Sequence, residues 1–593
     1  MNFKGTFADT GSSRTQAGHV RHSGIIVGSL LLLFIGLALS AVEQKSPTLD
    51  ESFHLLAGYS HLKWGDFRIN PEHPPLAKLM AALPLLLLDT NDAPLSREER
   101  DEVETNVEHG WRLANRWLFS SNDAETIFRY ARLPMLLVGA LLGLLVFVWA
   151  NELYGLTAAF AALTFYVFDP NMLAYAPLVH TDLTFTMTFF GGTFFFWRTL
   201  RELTSLNVLL TLAFFSAAAI TKFSFVTVPL IWAILAMVRI VAAEPLHCRL
   251  TARTTVTVTG KWAKAGWLTA LLWVALLCAY CIIWAAYGFR YEAASGEPIP
   301  LSITDAVTPS RWLIPLIQLN QSYHLLPEAW LSGLVYVLSA SNRTAYLLGE
   351  TSDGFWLFFP IAIAVKTPLP TLLLLLGSLV VTPDQQKIAT GNQFLWMPVS
   401  VFLSLAIYSR TDIGLRHILP TYPFLFVWLG GVSAALLRSP SIAKRCAVCV
   451  LGLWLVGSCV ANYPDYLAYF NETLGDRERH AILVDSNLDW GQDLKGLKRW
   501  MVDQKVERIE LAYFGTADPA YYGIDAIYKP GTWSAVLSKP PDSTRLRTAT
   551  YIAISATHLV GLYFAPQNPY ASFLRKKPVA AIGHSIFIYR TDR

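Results

Sequence analysis

The polar stretch that follows the first apolar run gathers Asp50, Glu51, His54, Glu72, His73 and Lys78. Adjacent carboxylates at a membrane boundary suit general-base work, because partial desolvation raises a carboxyl pKa toward the working pH. The same acids are also ordinary in a solvated loop, and spacing alone does not separate the two readings. Elsewhere, ionisable side chains near or within apolar segments are costly, which makes each a candidate functional group. Asp182, Arg132, Lys222, Lys366 and Arg416 are of this kind. For the cations, snorkelling to the interface is the competing explanation. Glu51-x-x-His54 has the form of half a zinc motif, but the second His of an HExxH pair is absent. His73 and His180 would complete a site only through tertiary packing, so no metal ligands are assigned.

These residues need elements to hold them, and composition says what the elements are. Of 593 residues, 53% are hydrophobic and only 15% charged, where a soluble chain carries about a quarter charged. The excess apolar material falls in runs of about 17–25 residues, long enough to cross a bilayer as helices. A segment in hydrocarbon must satisfy its own backbone, so the runs are expected to be helical. Eleven spans are expected, at 23–42, 130–151, 156–169, 182–198, 205–220, 223–241, 266–287, 355–381, 394–408, 417–437 and 446–462. The first is too long, and lacks the small-residue site, for a cleaved signal peptide. With the N-terminus cytoplasmic, Arg14, Arg21, Arg198, Arg201, Arg239, Arg249, Arg253, Lys261, Lys264, Arg438, Lys444 and Arg445 all fall on the inner side, as the positive-inside rule requires. The organisation is then a cytoplasmic segment 1–22, a transmembrane domain 23–462 and an external tail 463–593. A net charge of +4 gives no reason to invoke nucleic acid. None of the six cysteines lies in an external region, so no disulfide framework is expected, and Cys446-x-x-Cys449 reads as packing.

Three external regions are large. The first, 43–129, carries the polar cluster, an apolar segment at 75–88 that reads as an interfacial helix, and a charged run at 96–108. The second, 288–354, is rich in Trp, Tyr and Ser, as a loop at headgroup level should be. In the tail, 481–487, 508–515 and 550–556 read as strands, 489–504 as a helix and 516–549 as loop, which together suggest a small α/β module. Asp485, Asn487, Asp489, Trp490 and Asp493 read either as substrate contacts or as a strand-to-helix turn capped by Asn487 or Asp489. Asn342 and Asn471 open sequons.

The order of the motifs adds information that composition does not. PTLDESFH at 47–54 followed by GDFRINPEHPPLAK at 65–78 resembles the first luminal loop of the protein O-mannosyltransferases, with Ala77 where that family has Gly. DPNMLAYAPLVHTD at 169–182, TKFSF at 221–225, KTPLP at 366–370, IGLRHILPTYPF at 413–424 and DSNLDWGQDL at 485–494 resemble the bacterial relatives, which include the aminoarabinose transferases that modify lipid A. The resemblance implies a multi-pass α-helical membrane protein of GT-C type in the bacterial inner (plasma) membrane. Its donor would be a polyprenyl-phosphate sugar and its acceptor a protein, lipid or glycan hydroxyl. A physical point agrees: nucleotide sugars are cytoplasmic, so a site facing outward needs a donor delivered through the membrane. On this reading Asp50 is the general base, with Glu51 orienting it or contacting substrate. Lys78, Arg416, Lys222 and Lys366 would neutralise the donor phosphate. Asp182 and His73 would contact substrate, and Arg132 would hold the loop or contact substrate. The oligosaccharyltransferase branch adds the expectation of a divalent cation, Mg or Mn, at the phosphate; the O-mannosyl branch does not. The competing class is a transporter or lipid flippase, which would place paired charges and broken helices near the bilayer midplane, often in repeated halves. Here the charges gather in loops and the halves show no repeat.

Overall fold

The computed structural model describes residues 10–105, 107–251, 254–294, 311–339, 344–383, 391–475, 477–532, 549–564 and 566–591. The Asn342 sequon falls outside them. Six helices among these residues are long and apolar enough to cross a membrane: His22–Val42, Ala124–Tyr154, Phe223–Val241, Lys261–Ala286, Leu415–Arg438 and Ile442–Ala461. The chain is a multi-pass membrane protein.

The other five expected spans take different forms. Residues 355–381 fold as two helices, Phe358–Lys366 and Leu369–Gly377, bent by 110° at the break. Pro368 and Pro370 account for it, since proline removes a backbone donor and drives the residue before it out of the helical region. Three more are the short apolar helices Leu156–Val167, Ser205–Ala219 and Gln393–Ser409. The fifth lies in the helix Thr181–Arg201, buried on nearly all sides. Hydroxyls of Thr186, Thr188 and Thr193 donate to carbonyls of the preceding turn, so they need no outside partner.

Burial ranks the helices. In Leu415–Arg438, 89% of the span is buried, against 17% in Ile442–Ala461, so the first is the bundle's axis and the second its rim. Gly430 lets the axis approach Leu156–Val167 closely; a Cβ there would sit 2.4 Å from the Ala158 carbonyl oxygen. Aromatic rings fill the centre, with Trp149 packed on Phe190, Phe194, Trp197 and Phe424. Cys446 and Cys449 lie exposed on the rim helix as free thiols.

One end of the bundle is covered by the first loop and the tail. The loop folds as helices Glu51–Trp64, Leu76–Ala82, Arg97–Thr105 and Val107–Asn115. The expected interfacial helix is Leu76–Ala82 continued as a 3-10 turn to Leu87, with Leu83, Leu86 and Leu87 exposed. In the tail, a mixed five-stranded sheet has Arg508–Ala512 parallel to both Asp525–Tyr528 and Tyr551–Ser555, while Ile586–Arg590 runs antiparallel to Tyr551–Ser555 and to Ala580–Ile582. The helix Leu494–Asp503 buries Leu494, Leu497 and Met501 in one core with Leu55, Leu56 and Tyr59 of the first loop. Loop and tail therefore fold as one layer.

The tail departs from the expected pattern at two segments. Residues 481–487 are not a strand: 3-10 turns at Arg479–Ala481 and Asp485–Asn487 replace it. Asp485 has φ of +56°, and Ser486 and Asn487 spend their side chains on the backbone of Ile413 and Leu415. Asp525–Tyr528 is a short strand inside the stretch read as loop. Asn471 is buried, donating to the Ala364 and Thr367 carbonyls, so that sequon is a structural staple.

Candidate active site

The segment before Asp50 is strapped to the tail. Ser46 and Leu49 donate their backbone N–H groups to the carbonyls of Gln492 and Trp490, each at 2.8 Å, and the Ser46 hydroxyl donates to the Gly491 carbonyl. Lys45 pairs with Asp493 at 2.6 Å and with Asp465. This fixes the start of Glu51–Trp64, where Asp50 occupies the N-cap position without its side chain capping anything. Its carboxylate is thereby free to face the bundle.

The adjacent acids have different fates. Glu51 is fully buried and consumed: Arg132 donates to both oxygens at 2.9 and 2.7 Å, and Thr48 and Val179 donate backbone N–H groups. Arg132 serves this anchor and is not free for substrate. Asp50, by contrast, is 22% exposed, with Oδ2 at 3.2 Å from Arg416 Nη1 and 3.3 Å from His180 Nε2. Burial pushes its pKa up, but the Arg416 guanidinium outweighs that and holds the carboxyl well below the usual range.

A second acid stands behind the first. Asp182, at the start of Thr181–Arg201, takes Lys222 on Oδ1 and faces His180 Nδ1 with Oδ2 at 2.6 Å. Arg416 Nη1 lies 2.6 Å from His180 Nε2 and 3.7 Å from Asp182 Oδ2. A guanidinium only donates, so Nε2 must accept, which puts the imidazole proton on Nδ1 toward Asp182. Arg416 also stacks on Trp490, its guanidinium carbon 4.2 Å from the ring centroid. Trp490 is thus a wall of the site, where the sequence offered helix packing or substrate contact.

The third wall is the His73–Lys78 turn. Lys78 is buried, donating to the carbonyls of Asn70 at 2.6 Å and His73 at 2.7 Å. Burial lowers its pKa to about 7. Gly58 makes this closeness feasible, since a Cβ there would come 2.1 Å from the Lys78 carbonyl oxygen. His54 stacks on His73 and both meet His180 edge-on, with ring centroids 4.8–5.9 Å apart. Burial holds the His54 and His73 imidazoles neutral.

Asp50, Asp182, Lys222, Arg416, Lys78 and His73 thus converge at one end of the bundle. Lys366 does not join them: it donates to the carbonyls of Leu467 and Asn487 at 2.9 and 2.6 Å and lies over Phe470. It braces the bent pair against the tail. Asp489 and Asn487 cap no helix either; Asp489 accepts from Thr557 N–H, and Asn487 from Leu415 N–H. His54 and His180 are members that the sequence reading noted but gave no role, because their partners lie far along the chain.

The fold and site define a polytopic helical membrane protein with a buried charged cluster beneath a capping α/β layer. No family model and no curated protein matches the chain. Among solved structures it is similar to ArnT from Cupriavidus metallidurans bound to undecaprenyl phosphate, at 11% identity and a TM-score of 0.46, covering 96% of this chain and 98% of that one. It is also similar to the archaeal oligosaccharyltransferase AglB from Archaeoglobus fulgidus, in complex with an inhibitory peptide and a dolichol-phosphate, at 10% identity and a TM-score of 0.39, covering 89% and 71%.

Proposed function

We propose that this chain is a GT-C glycosyltransferase that moves one sugar from a polyprenyl-phosphate donor to an acceptor hydroxyl. The observation that carries the reading is the meeting of Asp50 with Arg416, His180, Asp182 and Lys222, brought from four separate sequence motifs to one partly open point. Carboxylates and fixed cations in a site of low polarity suit the displacement of a phosphate leaving group. The acceptor oxygen attacks the anomeric carbon, its proton passes to Asp50, and the carbon–oxygen bond to the lipid phosphate breaks, so a single displacement inverts the centre. The phosphate leaves as an anion and needs charge neutralisation more than a proton. Arg416 and Lys222 are the cations placed to supply it, and Lys78 adds charge below its pKa of about 7.

The pairing of Asp50 with Arg416 fits this sequence of events. Asp50 paired with Arg416 is a weak base. A donor phosphate competes for the same guanidinium, and as Arg416 turns to it the carboxylate loses its counter-ion and becomes more basic. A small crevice lined by Ala38, Ala41, Leu173 and Leu178 reaches Thr48 beside the site and offers apolar side chains to the first part of a prenyl chain.

The bent pair at Lys366 is the feature a transporter would share, but saturation of that lysine by carbonyls leaves it nothing to carry. The test is incubation of the reconstituted protein with labelled polyprenyl-phosphate sugars. Transfer to an acceptor supports the proposal; movement of label across the bilayer without transfer overturns it.

A further inference from the structure

We infer that His54, His73 and His180 form a zinc site beside Asp50. The three residues come from the helix Glu51–Trp64, the turn before Leu76–Ala82 and the residue preceding Thr181–Arg201. One ring nitrogen from each lies within 4.8 Å of the others. Zinc held by three imidazoles at about 2.0–2.1 Å needs nitrogens closer than that, roughly 3.4 Å apart. Binding zinc therefore requires the rings to turn toward one another.

Two further observations point to a ligand. The Nδ1 atoms of His54 and His73 are buried without a hydrogen-bond partner, and a buried polar atom left so is costly unless something binds it. His180 has the second feature. Asp182 Oδ2 stands 2.6 Å from its Nδ1, the carboxylate–histidine arrangement that orients a metal-binding imidazole and presents the other nitrogen to the ion. That other nitrogen, Nε2, faces Arg416 Nη1 at 2.6 Å. For zinc to bind there the guanidinium must turn aside, and it has Asp50 and the Trp490 ring as its other partners.

Imidazole donors select zinc over magnesium or calcium, which prefer oxygen. Three protein ligands leave one position open, the arrangement of a metal that meets a substrate. The ion would add positive charge where the proposed reaction needs it, yet the site stands on histidine geometry alone and can exist whether or not that reaction is right. Another clustered group, Glu99, Glu102 and His109, makes a useful control because Glu99 already pairs with Arg116.

The experiment uses the full chain in detergent, stripped with chelator, incubated with zinc chloride, desalted and assayed for metal by mass spectrometry. About one zinc per chain is expected, falling at least tenfold in His54→Gln and in His73→Gln but unchanged in His109→Gln. Cobalt chloride in place of zinc should give the visible absorption of a four-coordinate site in the wild-type chain, a readout that needs no variant to fold. Wild-type chain that retains no zinc and gives no such cobalt band overturns the inference, as does full zinc retention in both His54→Gln and His73→Gln. All readings are taken without sugar donor, so failure here leaves the transferase proposal standing, and failure of transfer leaves the zinc site standing.

Discussion

Asp50 and Glu51 are neighbours in sequence, and exchanging each for its amide should separate chemistry from folding. Glu51 is 0% exposed and its partner Arg132 6% exposed. Glu51→Gln leaves the guanidinium buried without a counter-charge, and breaking one side of a buried pair costs about 3–5 kcal/mol. At about 2 °C for each kcal/mol, the apparent melting temperature should fall by about 6–10 °C. Asp50 is 22% exposed and shares Arg416 with Asp182. Asp50→Asn therefore leaves that cation a second acid and should shift melting by no more than about 2 °C. Its effect belongs to turnover, where loss of a general base costs about 10²–10⁴-fold. The assay pairs thermal melting of detergent-purified protein with initial transfer rates at saturating donor. A Glu51→Gln protein that melts like wild type but does not turn over would refute the division of roles, as would an Asp50→Asn protein that transfers normally.

Gly58→Ala should force Glu51–Trp64 away from the Lys78 turn, because the new methyl meets a backbone carbonyl at 2.1 Å; a loss of about 1–3 kcal/mol is expected in denaturant or thermal unfolding. Trp490→Ala removes the surface on which Arg416 stacks, worth about 1–2 kcal/mol when desolvated, so kcat/KM should drop about tenfold, with Trp490→Phe partly restoring it. Asp489 is buried with its pKa pushed up to about 8 by desolvation. Between the unfolded value near 4 and that folded value the native state holds the extra proton, so stability should fall as pH rises through the window. Asp489→Asn should flatten the melting temperature across pH 5–8; an unchanged slope would show that another group is responsible.

Much of the architecture is legible in the chain because its cause is local. An apolar run long enough to span must become a helix wherever it sits, so the six long helices fall at expected spans. Proline at 368 and 370 marks the break at Lys366 for the same kind of reason. The strands Arg508–Ala512 and Tyr551–Ser555 follow from β-branched and aromatic residues between turn formers. The first loop could be singled out as chemical, since so many ionisable groups beside a membrane demand an explanation. Which of them is free could not be read there. Asp50 meets His180 and Arg416 across 130 and 366 residues, and Glu51 meets Arg132 across 81. Nothing in the local pattern of either acid records those partners. The same holds for Lys366, a buried cation whose carbonyl partners lie 101 and 121 residues away. It holds too for residues 481–487, where ties to Ile413 and Leu415 override the strand propensity of the segment. The sequence by itself determined the long apolar helices and the loop in which ionisable groups gather, because burial of apolar surface and backbone satisfaction act over a few turns. Only the tertiary structure decided which acid is spent on the fold and which stays partly exposed, because a charge is neutralised by whatever the packed helices bring within a few ångströms.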